Sequence, residues 1–301
     1  MPVMCSLQSQ YLLFHRIGAP FLLKRSVSSQ NSLYSKYCKL IESYTVISQN
    51  HLTPELKLRL ITQECPAWNQ PVEQNSPHPL GEPFWAFYWP GGQALARYIL
   101  DNQMITKGKR VLDFGCGSGA LSIAALKSGA KFSLANDIDH MAIAASQLNA
   151  QINSVELNVC EDNLIGSDCV DFDVILVGDM LYDSALSDVI AAWLMKLRLA
   201  KKVILVGDPG RGPIGSSTVF ANSLCHLAKY ELDPFTKKDN YGFLQSHIFM
   251  KHHARRYSRL RKVLCQFLCP WSQQELLCAD ISLDFPLKSC NKYLEGNISI
   301  L

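Results

Sequence analysis

Acidic side chains recur where apolar runs end, beside residues built for close ligand approach. The run VLDFGCGSG sets Asp113 two residues ahead of Gly115, and Gly117 and Gly119 follow at alternate positions. Glycines there allow a tight turn and close backbone approach, and a helix opening behind them aims its N–H dipoles at the ligand. The spacing D-x-G-x-G-x-G is not the GxGxxG that threads a pyrophosphate. An acid beside the loop repels phosphate and suits an ammonium or a water-bridged polar head. That favours S-adenosylmethionine, which carries an α-amino group and a sulfonium and has no phosphate. Asp137 follows the loop by about twenty residues, the separation suited to accepting both ribose hydroxyls. Its neighbour Asp139 reads better as a helix N-cap. Asp162, after the third run, can accept the adenine amino group or stand as a solvated turn acid. The fourth run ends Gly178-Asp179-Met180-Leu181-Tyr182-Asp183, where the central cleft of such a sheet lies. Jointly these acids outline one ligand.

They do so only if each ends a strand, since parallel α/β sheets bind ligands outside the carboxyl ends of their strands. The pattern supplies that. Strand runs at 110–114, 131–137, 155–159, 171–179 and 201–208 alternate with helical periodicity at 118–128, 140–152, 184–199 and 216–229. Two more strand-like runs follow at 230–235 and 243–250. Such alternation means crossovers and a mostly parallel, doubly wound α/β sheet covered on both faces. Upstream, Thr53-Pro54 reads as an N-cap and first helical position, with Leu56 and Leu60 on one face. Residues 65–83 read as a loop. Five aromatics in FWAFYW then precede Pro90-Gly91-Gly92 and a helix from about 93 to 101.

Composition excludes several classes. Of 301 residues, 48% are hydrophobic and 18% charged, enough to bury a core and too apolar for a disordered chain. No run reaches the roughly 18 apolar residues of a membrane-spanning helix. The net charge of +3 resides at the ends: residues 1–41 hold five basic and no acidic side chains, and 251–301 hold eight basic and four acidic. The body between is acidic, which suits a basic protein partner better than nucleic acid. Eleven cysteines show no CxxC pair and read as reduced thiols, with no metal site expected. Residues 1–41, acid-free and rich in serine, match a mitochondrial transit peptide.

The stretch 84–208 resembles the class I, seven-strand S-adenosylmethionine-dependent methyltransferases. Asp179-x-x-Tyr182 resembles the D-x-x-Y signature of protein lysine methyltransferases that act on non-histone targets. FWAFYWPGGQALARYILDN, LANDID, GDMLYD and VILVGDPGR are similar, more narrowly, to the electron transfer flavoprotein β-subunit lysine methyltransferases, over about 52–250. The resemblance implies a Rossmann-like seven-stranded sheet with an antiparallel last strand. It further implies a matrix enzyme that methylates lysines of the flavoprotein β chain, takes S-adenosyl-L-methionine and releases S-adenosyl-L-homocysteine. A monomer is expected, with no nucleic-acid partner and no stable membrane insertion. The methyltransferase domain is expected over 42–250. Residues 251–301, beginning KHHARRYSRLRK, have no counterpart in the family and read as a basic extension, poorly ordered.

On that resemblance Asp179 binds the incoming amine and orients its lone pair, while Tyr182, one helical turn on, offers its hydroxyl or ring face to the cation. Asp208 and Arg211 border the same cleft as substrate-side candidates, and Trp89 covers the cofactor. Methyltransferases acting on adenine or glutamine amides carry N-P-P-Y or D-P-P-Y where this chain has GDMLYD. Two other readings stand: a methyltransferase of the same fold with another protein or a small molecule as acceptor, and a catalytically silent binding module.

Overall fold

A computed structural model of the chain describes residues 27–65, 80–211, 224–239 and 243–251. Most of the expected transit peptide and the basic extension beyond Lys251 lie outside the described residues. Helix α1 (Val27–Tyr44) runs across the expected boundary at 41/42. Its Ile41 is fully buried among Trp85, Ala142 and Ala145, with Tyr37 and Leu40 packed alongside. The folded unit therefore starts upstream of residue 42.

The helix expected after Thr53-Pro54 is instead a turn leading into a strand. The Leu56 N–H donates to the Thr53 carbonyl at 2.9 Å. Strand β1 (Val46–Ser48) then pairs antiparallel with β2 (Leu58–Leu60). Leu56, Leu58 and Leu60 are all buried, so the operative period is 2 and not 3.6. Asn149 on a later helix and Asn153 at that helix's C-cap hold this edge by accepting from the Arg59 and Lys57 N–H groups at 2.7 and 3.1 Å.

Beyond helix α2 (Pro90–Asp101) the alternation holds: β3 (Arg110–Phe114), α3 (Ala120–Lys127), β4 (Phe132–Asn136), α4 (His140–Ile152), β5 (Asn158–Cys160), β6 (Val174–Gly178), α5 (Ser184–Leu199) and β7 (Val203–Asp208). Helix α4 is capped by Asp139, which accepts from the Met141 N–H at 2.8 Å, and α5 by Asp183, which accepts from Leu186 at 2.8 Å. Both are ordinary N-caps, each worth about 1 kcal/mol. Strands β8 (Leu224–Glu231) and β9 (Gln245–Lys251) flank a short helix α6 (Pro234–Asp239). The helix expected over 216–229 is thus a strand from Leu224, and the strand expected at 230–235 stops at Glu231. A bulge between His226 and Ala228 shifts the alternation there by one residue, so the sequence does not read as period 2.

The seven strands order β5-β4-β3-β6-β7-β9-β8. β9 runs antiparallel to β7, and the pairs from β5 to β7 are parallel. The expected doubly wound sheet with an antiparallel last strand is what forms. Its central strand β6 buries Val174, Ile175, Leu176 and Val177 on both faces, as a strand covered by helices on two sides must. One face packs on α2 and α3; the other packs on Ile190, Trp193, Leu194 and Leu197, a single stripe of α5. Strand order reverses between β3 and β6, so the crevice opens where the glycine loop and Asp179 stand.

Candidate active site

At the end of β3, Gly115, Gly117 and Gly119 all adopt positive φ, at 69, 49 and 78°. A Cβ on Gly119 would stand 2.6 Å from the Ser146 Cβ, and one on Gly115 would meet the Met180 Sδ at 2.2 Å. A Cβ on Gly117 would stand 3.5 Å from the Trp85 Cα, in ordinary contact, so the loop is close-packed at Gly115 and Gly119 and admits a Cβ at Gly117. Asp113 is fully buried below the loop. One of its oxygens accepts from the Ser122 N–H at 2.9 Å; the other, Oδ1, has no partner. Burial raises its carboxyl to about 7.

Asp137, after β4, accepts from the Gly117 N–H at 3.0 Å through Oδ2 and from the Asp139 N–H at 3.1 Å through Oδ1. Partial burial shifts it above the ordinary carboxylate range. A cavity of about 470 Å³ adjoins it, lined by Tyr37, Leu40, Leu80, Ile138, Asp139 and Met141 among others. Helix α1, unsuspected from sequence, supplies one wall. Asp162 is exposed after β5. Its carbonyl, with that of Cys160, accepts from the Asn136 side chain, both at 2.9 Å. Asn136, which the sequence did not single out, thus fixes the turn that carries Asp162.

Across the switch point, α2 meets the sheet backbone to backbone. A Cβ on Gly91 would stand 2.3 Å from the Gly207 carbonyl oxygen, and one on Gly207 would stand 2.1 Å from the Gly91 oxygen. Only glycine fits both positions, and this contact sets the α2 N-terminus against Asp179. The Gly91 N–H donates to Asp179 Oδ2 at 2.6 Å, a carboxylate on a helix N-terminus. The Arg211 Nε donates to Oδ1 at 2.5 Å. Asp179 is not glycine, yet it holds φ 59°, and its side chain is 1% exposed. Burial shifts its carboxyl upward, with the Arg211 charge opposing. Asp208, also fully buried, accepts from the Gly210 and Arg211 N–H groups at 2.7 Å each through Oδ1 and leaves Oδ2 without a partner. Burial and the neighbouring Asp179 charge raise it to about 7.

Trp89, the α2 N-cap residue, donates its indole N–H to the Phe84 carbonyl at 2.9 Å. Its ring lies 5.6 Å from the Arg211 guanidinium, and Phe243 lies 5.3 Å from the same group. The tryptophan whose backbone borders the glycine loop is Trp85. Tyr182 precedes α5 rather than lying a helical turn beyond Asp179, and it is 55% exposed. Nine of the eleven expected site residues thus fall into two groups: the glycine loop with Asp113 and Asp137, and Asp179 with Asp208, Arg211 and Trp89; Asp162 stands after β5 and Tyr182 ahead of α5. Gly91 and Phe243 were not foreseen. Phe243 carries no local signal at all.

The loop, the orphaned acceptor on Asp113 and the acid facing Gly117 fit a cofactor with an ammonium and a ribose. Residues 94–201 match the family model for ribosomal protein L11 methyltransferase (PrmA). A solved ribosomal protein L11 methylase from Lactobacillus delbrueckii subsp. bulgaricus is 24% identical over 53% of this chain and 78% of its own, with a TM-score of 0.38; the fold rests on the strand order above rather than on that likeness. Proteins named electron transfer flavoprotein beta subunit lysine methyltransferase are nearer in sequence. The Xenopus laevis protein is 44% identical over 69% of this chain and 84% of its own length. The Danio rerio protein is 39% identical over 82% and 95%, and the Homo sapiens protein 40% over 70% and 79%. With the fold in place and that identity spanning most of both chains, the protein belongs to the electron transfer flavoprotein β-subunit lysine methyltransferase family.

Proposed function

We propose that the chain transfers methyl groups from S-adenosylmethionine to lysine side chains of the electron transfer flavoprotein β subunit, as a monomer in the mitochondrial matrix. The observation that carries the reaction class is Asp179: a buried carboxylate on a helix N-terminus, at the switch point, across from a glycine loop that Asp137 braces through the Gly117 N–H. Family membership supports the acceptor. The acid-free, serine-rich N-terminal segment supports the matrix, and the buried Ile41 argues that any processing falls upstream of the packed part of α1.

A lysine ammonium, with a pKa near 10.4, has no lone pair and must lose a proton before it attacks. Asp179 supplies a desolvated negative charge that draws the ammonium in and then orients the neutral amine. Asp208, held near neutrality with one free oxygen, is suited to taking up the proton or passing it to water. S-adenosylmethionine supplies a methyl group already activated by its sulfonium and leaves as S-adenosylhomocysteine. The Gly115–Gly119 loop and Asp137 would hold it, with Asp162 at the adenine edge. Because the methyl needs no further activation, alignment and exclusion of water carry most of the rate.

The test is transfer of labelled methyl from S-adenosylmethionine to purified electron transfer flavoprotein. Label on the β chain supports the reading. Cofactor binding without label points to another protein or a small molecule, and absence of both points to a silent binding module. Import into isolated mitochondria and sedimentation test the compartment and the monomer.

A further inference from the structure

Arg211 answers a need the reaction does not explain. Two buried carboxylates, Asp179 and Asp208, face each other's charge, and the guanidinium of Arg211 is the cation that meets Asp179, 2.5 Å from Oδ1. The group is flanked by the Trp89 ring at 5.6 Å and the Phe243 ring at 5.3 Å, and its side chain is 19% exposed. A carboxylate whose bound cation also meets two aromatic rings is a seat for any alkylated cation, because it combines charge with ring faces of negative quadrupole. A lysine reaching Asp179 meets that seat already filled.

We propose that the guanidinium of Arg211 occupies the seat of the acceptor lysine, formed by Asp179, Trp89 and Phe243, and must swing out before the substrate's amine enters. The inference rests on the lysine-methyltransferase reading. Arg211 reaches solvent at its exposed edge, whereas Asp179 does not, so the arginine is the partner free to leave. The exchange replaces one cation by another, so the buried charge is compensated both before Arg211 leaves and once the ammonium is seated. A neutral or anionic side chain, offering no replacement charge, would leave the carboxylate pair uncompensated. The seat thereby selects for a cation, and its own occupant sets the threshold an acceptor must exceed. If the seat is open in one molecule in ten, apparent acceptor affinity is weakened about tenfold.

The test uses Arg211→Ala, Arg211→Lys and the double variant Arg211→Ala/Asp179→Asn, each in the full chain. With electron transfer flavoprotein as acceptor, Arg211→Ala is expected to lower KM severalfold, and Arg211→Lys to lower it less, because an ammonium lacks the guanidinium fork. As a second probe, n-butylammonium is expected to raise the melting temperature of Arg211→Ala by several degrees. It is expected to have little effect on wild type and none on the double variant. A lowered kcat with unchanged or raised KM would overturn the proposal and make Arg211 a residue that positions Asp179. Equal n-butylammonium shifts in wild type and Arg211→Ala would overturn it too. If wild type fails to methylate the flavoprotein, the functional reading fails, and the n-butylammonium comparison still decides the seat.

Discussion

Replacing Asp179 separates the bracing of α2 from the meeting of the amine in the proposed reaction. Asp179→Ala strips the Gly91 N–H of its acceptor at 2.6 Å and sets alanine at φ 59°. An unsatisfied buried N–H costs about 1–3 kcal/mol and a left-handed alanine about 1–2 kcal/mol, together about 3 kcal/mol. For a domain of this size that lowers Tm by about 6–12 °C. Asp179→Asn keeps an oxygen for Gly91 and tolerates the left-handed backbone, so most of that loss is avoided. Arg211, partly exposed, turns to water when its partner loses charge, which limits the penalty on that side. Both variants lose the charge that meets the amine. A charge-assisted hydrogen bond is worth about 1.5–3 kcal/mol, so kcat/KM falls about ten- to hundredfold in either one. Neither touches the glycine loop, and S-adenosylmethionine affinity by calorimetry is expected to hold. Melting curves and labelled-methyl transfer on the two variants check each part. An Asp179→Asn enzyme working within about threefold of wild type would refute the role of the charge. Lost cofactor binding would make the acid structural alone.

Three further outcomes follow from the geometry. Gly117→Arg, at φ 49° with its Cβ 3.5 Å from the Trp85 Cα, costs about 1–2 kcal/mol in stability and sets a long charged side chain in the middle of the loop, so cofactor binding vanishes from the calorimeter; normal affinity would remove the loop from the site. Asp113 holds its proton to about pH 7 when folded and to about 3.9 when unfolded, so the folded state binds more protons between those values and stability falls as pH rises through that window. Asp113→Asn removes this contribution. Its urea midpoint is expected to gain on wild type between pH 4.5 and 7.5, and a constant gap would contradict the shift. Ending the chain after Lys251, the last residue of β9, leaves the described sheet whole; methyl transfer is expected to survive, and an inactive product would make the basic extension part of the fold.

The strands that end at Phe114 just after Asp113, at Asn136 beside Asp137, at Asp208, and at Gly178 just before Asp179 were legible because each is a short apolar run closed by turn chemistry. A strand covered on both faces needs nothing else in its sequence. Asp139 as a cap and the glycine spacing were legible for the same reason, since a cap bonds two residues away and a loop's conformation is local. The pattern misled where a distant partner decided. Leu56 and Leu60 satisfy a helical period and a strand period equally, and pairing with β1 chose the strand. In β8 a bulge against β9 hid the alternation.

Sequence alone determined the doubly wound frame and the glycines and acids at its strand ends, all products of neighbours within a few positions. Only the tertiary structure decided what those acids meet. The Gly91–Gly207 contact spans 116 residues of chain and delivers an N–H to Asp179. Crossover topology brings Arg211 to Asp179, and Trp89 and Phe243 to that guanidinium. No local period records such encounters, because they depend on where whole elements cross the sheet and on which side chains share the volume left between them.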